Sequence, residues 1–533
     1  MSGPDLGSLR GDGGALHWLD GGRLMRQDAG DVTPEGVRVG GGVHTYGGGD
    51  HLVTAAAVWC ATPQGLFRGG TLVAEGAFGD LVLGDGELLA VREDGSGDAL
   101  VAVPLDGGDV RVLAEAAGFF GAPRPTDGML AWTWWSARDM PWDGCEMWVA
   151  AYEPGGQIGD PMRVAGGPDE SALEPRWGPD GMLYFMSDRT GWWNLYRHDG
   201  TAIAPLEADC AAPPWELGQS SYCFLDDGRI AMIAREGPAH RLVIADGSGA
   251  VSPVPVPYTS IKPCLTAWGS SVALIGSSPT LAQQVAIVPS PSPSPSGGLP
   301  ERLDVSVDGD RQVVALVYPP AGATSEWSAP LIVRAHPGPA ASVELFTSHG
   351  FAVADVDSTG SAGYGRAFRQ ALYGRWGVLD VADCRAVAEH LIAAGRAVPG
   401  QVFVRGAGTG GYTALQAVSS DGPFAAATAV SPVVDPERWA STAPRFHRPY
   451  AVRLGGAPVT AAAIRTPVLL IHGADDPVTS PAGTAALADD LRSRGAPHEL
   501  LLLAGTGHDV PASDEALEAE LRLYQSFEVP GIA

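Results

Sequence analysis

The sequence predicts two folded parts: an N-terminal β-propeller of seven blades, and a C-terminal α/β domain on a mostly parallel, doubly wound sheet. Three observations predict this. Asp-Gly-type turns recur through the first half, each leading into a β-compatible run. A Pro/Ser run, "VPSPSPSPSGGLP" (288–300), then breaks the composition. Beyond it, apolar strands alternate with amphipathic helices, the pattern of a parallel sheet with covering helices. At 533 residues the chain is long enough for two or more domains. An apolar content of 45% supplies cores for both and argues against bulk disorder.

The first part is assigned to residues 1–288. Its turn markers are "LDGG" at 19, "YGGGDH" at 46, "GDGE" at 84, "TDGM" at 126, "PDGM" at 179, "DDGR" at 226 and "WGSS" at 268. Runs such as "LLAV", "LAWTWW", "LYFMS", "IAMIA" and "VALIG" follow them. The spacing brackets the roughly 40–45 residues of a four-stranded blade, and seven markers give seven blades. Residues 289–300 are a linker, because alternating Pro and Ser forms neither a helix nor a central strand.

The second part spans 301–533. Its strands are "PLIVRAH" (330–336), "FAVADVD" (351–357), "QVFVRGAG" (401–408), "AAATAVS" (425–431), "PVLLIHG" (467–473) and "ELLLLAG" (499–505). Helices fall at 380–395, 480–495 and 513–527. The first of these puts Val381, Cys384, Ala388 and Leu391 on one face and stops at Gly395.

The strand ending at 404 runs into "VRGAGTGGYTAL" (404–415) and then a helix-compatible run. Strand, sharp turn and helix are the context of the nucleophile elbow of an α/β-hydrolase, normally Gly-x-Ser-x-Gly. Here Gly406-Ala407-Gly408-Thr409-Gly410 places glycine at the serine position. In this fold the triad acid and base follow the elbow, each after a late strand. "PVLLIHGADDPV" offers Asp475 and Asp476, and "LLLLAGTGHDV" offers His508.

Longer stretches carry a resemblance. In front these are "VHTYGGG" (43–49), "MPWDGCEMWVA" (140–150) and "PRWGPDGMLYFMSDRTGWWNLYR" (175–197). Behind, they are "HPGP" (336–339), "GSAGYGRAF" (360–368), "WGVLDVADC" (376–384), "RGAGTGGYTAL" (405–415), "HGADDPV" (472–478) and "GTGH" (505–508). Together they resemble the prolyl oligopeptidase family of serine peptidases, in its acylaminoacyl-peptidase and dipeptidyl-aminopeptidase-like branch. The resemblance implies a propeller capping an α/β-hydrolase domain, with the site enclosed between them. It implies Asp476 as triad acid, His508 as triad base, and Gly408 at the place of the missing serine. Thr409 would give one backbone N–H to the oxyanion hole, and the His336-Pro337-Gly338-Pro339 loop the second, through Gly338. Departures accompany the glycine: Pro337 where the family has glycine, Thr45 for glutamate in "VHEYGGG", and Asp357-Ser358-Thr359-Gly360-Ser361 for "NYRGS".

Three functional readings follow. In the first, His508 and Asp476 perform serine-independent chemistry on a small peptide-like or acylated substrate. In the second, the protein is an inactive pseudo-peptidase that binds or scaffolds. In the third, it is an aminopeptidase or acylaminoacyl peptidase using Thr409, or one carrying an inactivating substitution. Against Thr409, the flanking residues fix the register on Gly408, and a β-branched nucleophile suits the elbow's positive φ badly.

A net charge of −27 argues against nucleic-acid or anionic-membrane partners. The N-terminus shows no signal-peptide pattern and no apolar run reaches the roughly 20 residues of a membrane span. Six scattered cysteines without CxxC spacing read as reduced core residues. These features predict a cytoplasmic protein; no metal or cofactor signature is present in the motifs, and the enclosed site that the resemblance implies predicts a small peptide or acylated ligand as partner. Homo-oligomers are compatible with them.

Overall fold

The computed structural model describes residues 5–12, 14–106, 108–279, 281–288, 300–309, 311–323, 326–335, 341–510 and 514–527. The linker assigned to 289–300 and the His336–Pro339 loop therefore lie outside the described residues, apart from Pro300. Two compact units separate: Pro4–Ser294 with Ala362–Arg366, and Pro295–Ser361 with Ala367–Ala533.

The first unit is a seven-bladed β-propeller. Seven antiparallel sheets follow one another along the chain, beginning with Leu6–Asp12 and ending with Leu281–Val288. Six have four strands and the fifth, from Ala172 to Arg197, has three. Each turn marker falls in, or at the entry to, a different sheet. "LYFMS", for example, is the strand Leu183–Ser187.

The runs are apolar throughout because both faces of each blade are covered. In Glu87–Glu93, Leu88 and Ala90 pack toward the second sheet, through Trp59 and Leu66. The alternate residues Leu89 and Val91 pack toward the fourth, through Leu130 and Trp132. Closure uses the same device: Leu6, Leu9 and Leu16 of the first sheet cluster with Ala273 and Ile275 of the seventh.

The second unit carries one eight-stranded sheet. Its strands are β1 (Glu301–Val307), β2 (Arg311–Tyr318), β3 (Ala329–Ala335), β4 (Ala352–Asp357), β5 (Ala397–Ala407), β6 (Ala426–Val430), β7 (Val468–Gly473) and β8 (His498–Leu503), in the order β1-β2-β4-β3-β5-β6-β7-β8. The pairings β1–β2 and β2–β4 are antiparallel and the rest parallel. The helices are α1 (Ala341–Ser348), α2 (Gly365–Gln370), α3 (Leu379–Ala393), α4 (Thr409–Ala417), α5 (Pro436–Thr442), α6 (Arg448–Leu454), α7 (Pro481–Ser493) and α8 (Asp514–Gln525).

Alternation again sorts the two faces. Val402 and Val404 of β5 join the core beneath α3 and α4, while Phe403 stacks on Tyr524 of α8 on the other side, ring centroids 4.6 Å apart. Val381, Cys384, Ala388 and Leu391 of α3 are buried, as their periodicity predicts. All six cysteines are buried and unpaired. Among the described residues no helix is long and apolar enough to cross a membrane.

Candidate active site

The parallel order brings the ends of β5, β7 and β8 to one edge of the sheet, where ligands bind in open α/β sheets. β5 ends at Ala407 and α4 begins at Thr409, so Gly408 alone makes the turn, at φ 55° and ψ −117°. That region is open to glycine and strained for other residues. The turn is pinned from both sides: Gly408 N–H donates to the Val430 carbonyl (2.9 Å), and the Gly408 carbonyl accepts from Gly411 N–H (3.1 Å). Gly406 is needed because a β-carbon there would collide with the Gly410 backbone. Behind α4, Tyr412 packs on Trp376 at 3.9 Å and donates its hydroxyl to the Ala457 carbonyl. Thr409 is half-buried as the first residue of α4, where amide N–H groups lack intrahelical partners.

Of the two aspartates after β7, Asp475 is exposed and Asp476 is buried. Asp476 Oδ1 accepts from the backbone N–H groups of Val478 (2.7 Å) and Thr479 (3.0 Å). Its Oδ2 accepts from the Thr479 hydroxyl (2.7 Å) and meets His508 Nδ1 at 2.8 Å and His472 Nε2 at 3.1 Å. Burial pushes this carboxyl up, but the hydrogen bonds from His472 and His508, the His508 charge and Thr479 outweigh it. The result is a carboxyl held well below the usual carboxylate range.

His508 follows β8. Its carbonyl accepts from the Ser431 hydroxyl (2.9 Å), tying the loop to the end of β6. Because Nδ1 faces a carboxylate, it carries the ring proton, and in the neutral ring Nε2 is the basic nitrogen. Nε2 points at the elbow: a β-carbon built on Gly408 would stand 3.2 Å from it.

Sequence reasoning placed Gly408, Asp476 and His508 on their loops and took Asp476, not its neighbour Asp475, as the acid. It missed His472, Thr479, Ser431 and His447. His472 lies in the quoted "HGADDPV", four residues before Asp476, so a signal was present. His447 is buried before α6; burial, then the His508 charge, pushes its imidazole down to about 4. His336 and Gly338 lie outside the described residues.

On the elbow side, a small cavity of about 30 Å³ is lined by Ser358, Thr359, Ser361, Asp380, Thr409 and Thr413, among others. Asp380 is buried there, accepting from the Gly377 N–H (2.7 Å) and the Thr413 hydroxyl. Burial raises its carboxyl to about 6 against those hydrogen bonds. Among the described residues no group of three or more His, Cys, Asp or Glu is placed to hold a metal ion.

Comparison with known proteins gives a consistent picture. The profile of the prolyl oligopeptidase family matches residues 339–528. The acylamino-acid-releasing enzyme of Arabidopsis thaliana is 32% identical over 113 residues, 20% of this chain and 15% of that protein. Dipeptidyl aminopeptidase BIII of Pseudoxanthomonas mexicana is 26% identical over 225 residues, 36% of this chain and 32% of that protein. These matches thus span under a third of either relative's length. Solved structures match over nearly the whole chain. A puromycin-hydrolyzing peptidase of Mycobacterium tuberculosis superposes with a TM-score of 0.90 at 30% identity, covering 99% of this chain and 96% of that one. A puromycin hydrolase gives 0.87 at 30% identity, over 100% and 96%.

Proposed function

The chain belongs to the prolyl oligopeptidase family, and on that premise we propose that it acts through His508 and Asp476 without an acyl-enzyme, on a small peptide-like or acylated substrate. The observation that carries this reading is the orientation of His508. Its Nδ1 is engaged by Asp476 at 2.8 Å and its Nε2 faces the α-carbon of Gly408, which has no hydroxyl to deprotonate. A base so placed acts directly on a water molecule or on an acidic proton of the ligand.

For hydrolysis the steps balance simply. His508 Nε2 takes a proton from water as the hydroxide oxygen bonds to the acyl carbon. The carbonyl π electrons move to oxygen, toward the Thr409 N–H. When the intermediate collapses, the departing amine takes the proton back from Nε2, leaving a carboxylic acid and the free amine. Asp476 stays ionised throughout and holds the imidazole in the tautomer this requires.

A second reading is favoured by the glycine itself. Loss of one triad member removes most catalysis, so Gly408 also suits a pseudo-peptidase that binds its ligand without turning it over. The test is turnover of aminoacyl, acyl-aminoacyl and dipeptidyl chromogenic amides by the native protein, Gly408→Ser and His508→Ala. Puromycin joins the panel because the similar solved proteins hydrolyse it. Turnover by the native protein that His508→Ala abolishes supports the general-base reading. No turnover, with ligand affinity unchanged in His508→Ala, replaces it with the binding reading. Cleavage by Gly408→Ser alone means that the native protein has specifically given up the acyl-enzyme.

A further inference from the structure

Asp476 serves two imidazoles, and the second has no part in the scheme above. His472, fully buried at the end of β7, reaches Asp476 Oδ2 (3.1 Å) and the Thr479 carbonyl (3.2 Å) with Nε2. Its Nδ1 lies 2.8 Å from the Thr484 hydroxyl in α7. These contacts leave one neutral arrangement. A carboxylate oxygen and a carbonyl oxygen only accept, so Nε2 must carry the proton. Nδ1 is then an acceptor, and the Thr484 hydroxyl must donate to it.

We propose that His472 is a positioning residue: held in its Nε2–H tautomer by Thr484, it fixes Asp476 Oδ2 and thereby the ring of His508. The inference rests on the general-base reading of His508. Oδ2 receives three side-chain groups, from His472, His508 and Thr479, while Oδ1 is taken by two backbone amides. The Thr479 hydroxyl has one proton and also lies 3.1 Å from the Ser431 carbonyl, so its hold on Oδ2 is shared. Without the His472 N–H, Oδ2 keeps only His508 and the shared Thr479 hydroxyl, and the His508 ring loses its fixed direction toward Gly408. Partners one step removed from a reacting group commonly matter by about 10–100-fold.

The experiment uses the full chain carrying Gly408→Ser, where a working His508 activates the new hydroxyl. The probe is a fluorophosphonate: serine Oγ bonds to phosphorus, fluoride leaves, and the serine proton passes to His508 Nε2. Three further changes are added singly: His472→Leu, His472→Gln and Thr484→Val. His472→Leu is expected to slow labelling about tenfold or more, and His472→Gln, whose amide N–H reaches a similar place, to recover most of it. Thr484→Val tests the tautomer without touching Asp476, and a smaller slowing is expected.

In parallel, ¹⁵N-resolved spectra of the native Gly408 protein and its His472→Leu variant follow the His508 Nδ1–H signal, which should broaden or vanish in the variant. Unchanged labelling in His472→Leu, or a His508 Nδ1–H signal that survives it intact, overturns the proposal. If Gly408→Ser fails to label even with His472 present, the general-base reading fails, and the spectra alone decide whether His472 positions His508.

Discussion

The two sides of the site hold their buried carboxylates in opposite ways. On the acid–base side, Asp476 collects five donor groups and is held ionised far below the ordinary range. On the elbow side, Asp380 ties the start of α3 to α4 through Gly377 and Thr413, yet burial dominates and raises it to about 6. The comparison teaches that burial alone does not set a carboxyl's charge: the two imidazoles at Asp476 outweigh it, whereas the hydroxyl and amides around Asp380 do not. It also separates a side built to keep a charge from a side built to hold a backbone turn.

The largest effect should come from removing the charge that the first side keeps. In the Gly408→Ser background, Asp476→Asn is expected to lower kcat by about 10⁴-fold, because an amide cannot enforce the His508 tautomer. Steady-state kinetics checks it. A loss under tenfold would mean that the donors around Asp476 serve only to close the β7 loop.

The two carboxyls should also pull stability in opposite directions with pH. Asp380 has a folded value raised to about 6 from an ordinary 3.8, so the folded state binds its proton more tightly. Its contribution is therefore most favourable below about pH 4 and is lost as pH rises toward 6, by at most about 3 kcal/mol. Asp476 runs the other way: its contribution is present above the unfolded carboxyl value and is lost as pH falls below it. Urea unfolding of the native protein and Asp380→Asn between pH 4 and 7 should show a flatter slope in the variant. An equal slope would assign the window to another group. Asp50 of the propeller is also raised by burial, to about 6.

Substitution at the turn should cost less. Gly408→Val is expected to destabilise by about 1–3 kcal/mol, since a β-branched residue is strained at φ 55°. Gly408→Ser should lose less than Gly408→Val in the same urea experiment. The smallest effect belongs to Thr409→Ala. If Thr409 gives only its backbone N–H, turnover by Gly408→Ser should stay within about threefold, well inside 1 kcal/mol. A collapse of turnover would reopen Thr409 as the reacting group.

What the sequence made legible follows the range of the forces involved. Turn chemistry is local, so "GDGE", "PDGM" and "DDGR" each located a hairpin, and seven markers matched seven sheets. Apolar runs located β3 to β8 within a few residues. The β1–β2 hairpin went unread although an Asp308-Gly309 turn follows β1, and the short helices α1, α2, α5 and α6 went unread because each is too brief to show a helical period.

The site divides along the same line. Gly408, Asp476 and His508 were visible as loop residues at strand ends. The motif resemblance already singled out Asp476 over Asp475, and burial agrees; joining His472, Thr479 and Ser431 to it needed the adjacency of β6, β7 and β8. Hydrogen bonds across three strands leave no periodicity in the chain.

The propeller's closure has a consequence for its mechanics. Among the described residues no sheet mixes strands from the two ends of the unit; the first and seventh sheets meet through side chains such as Leu9 and Ile275. Such a ring is fastened by an apolar seam with a Leu6 N–H to Gln283 Oε1 hydrogen bond (3.0 Å) across it, instead of by shared strands. Under load or in denaturant it should part there first, uncoiling into a string of intact blades before any blade loses its own strands.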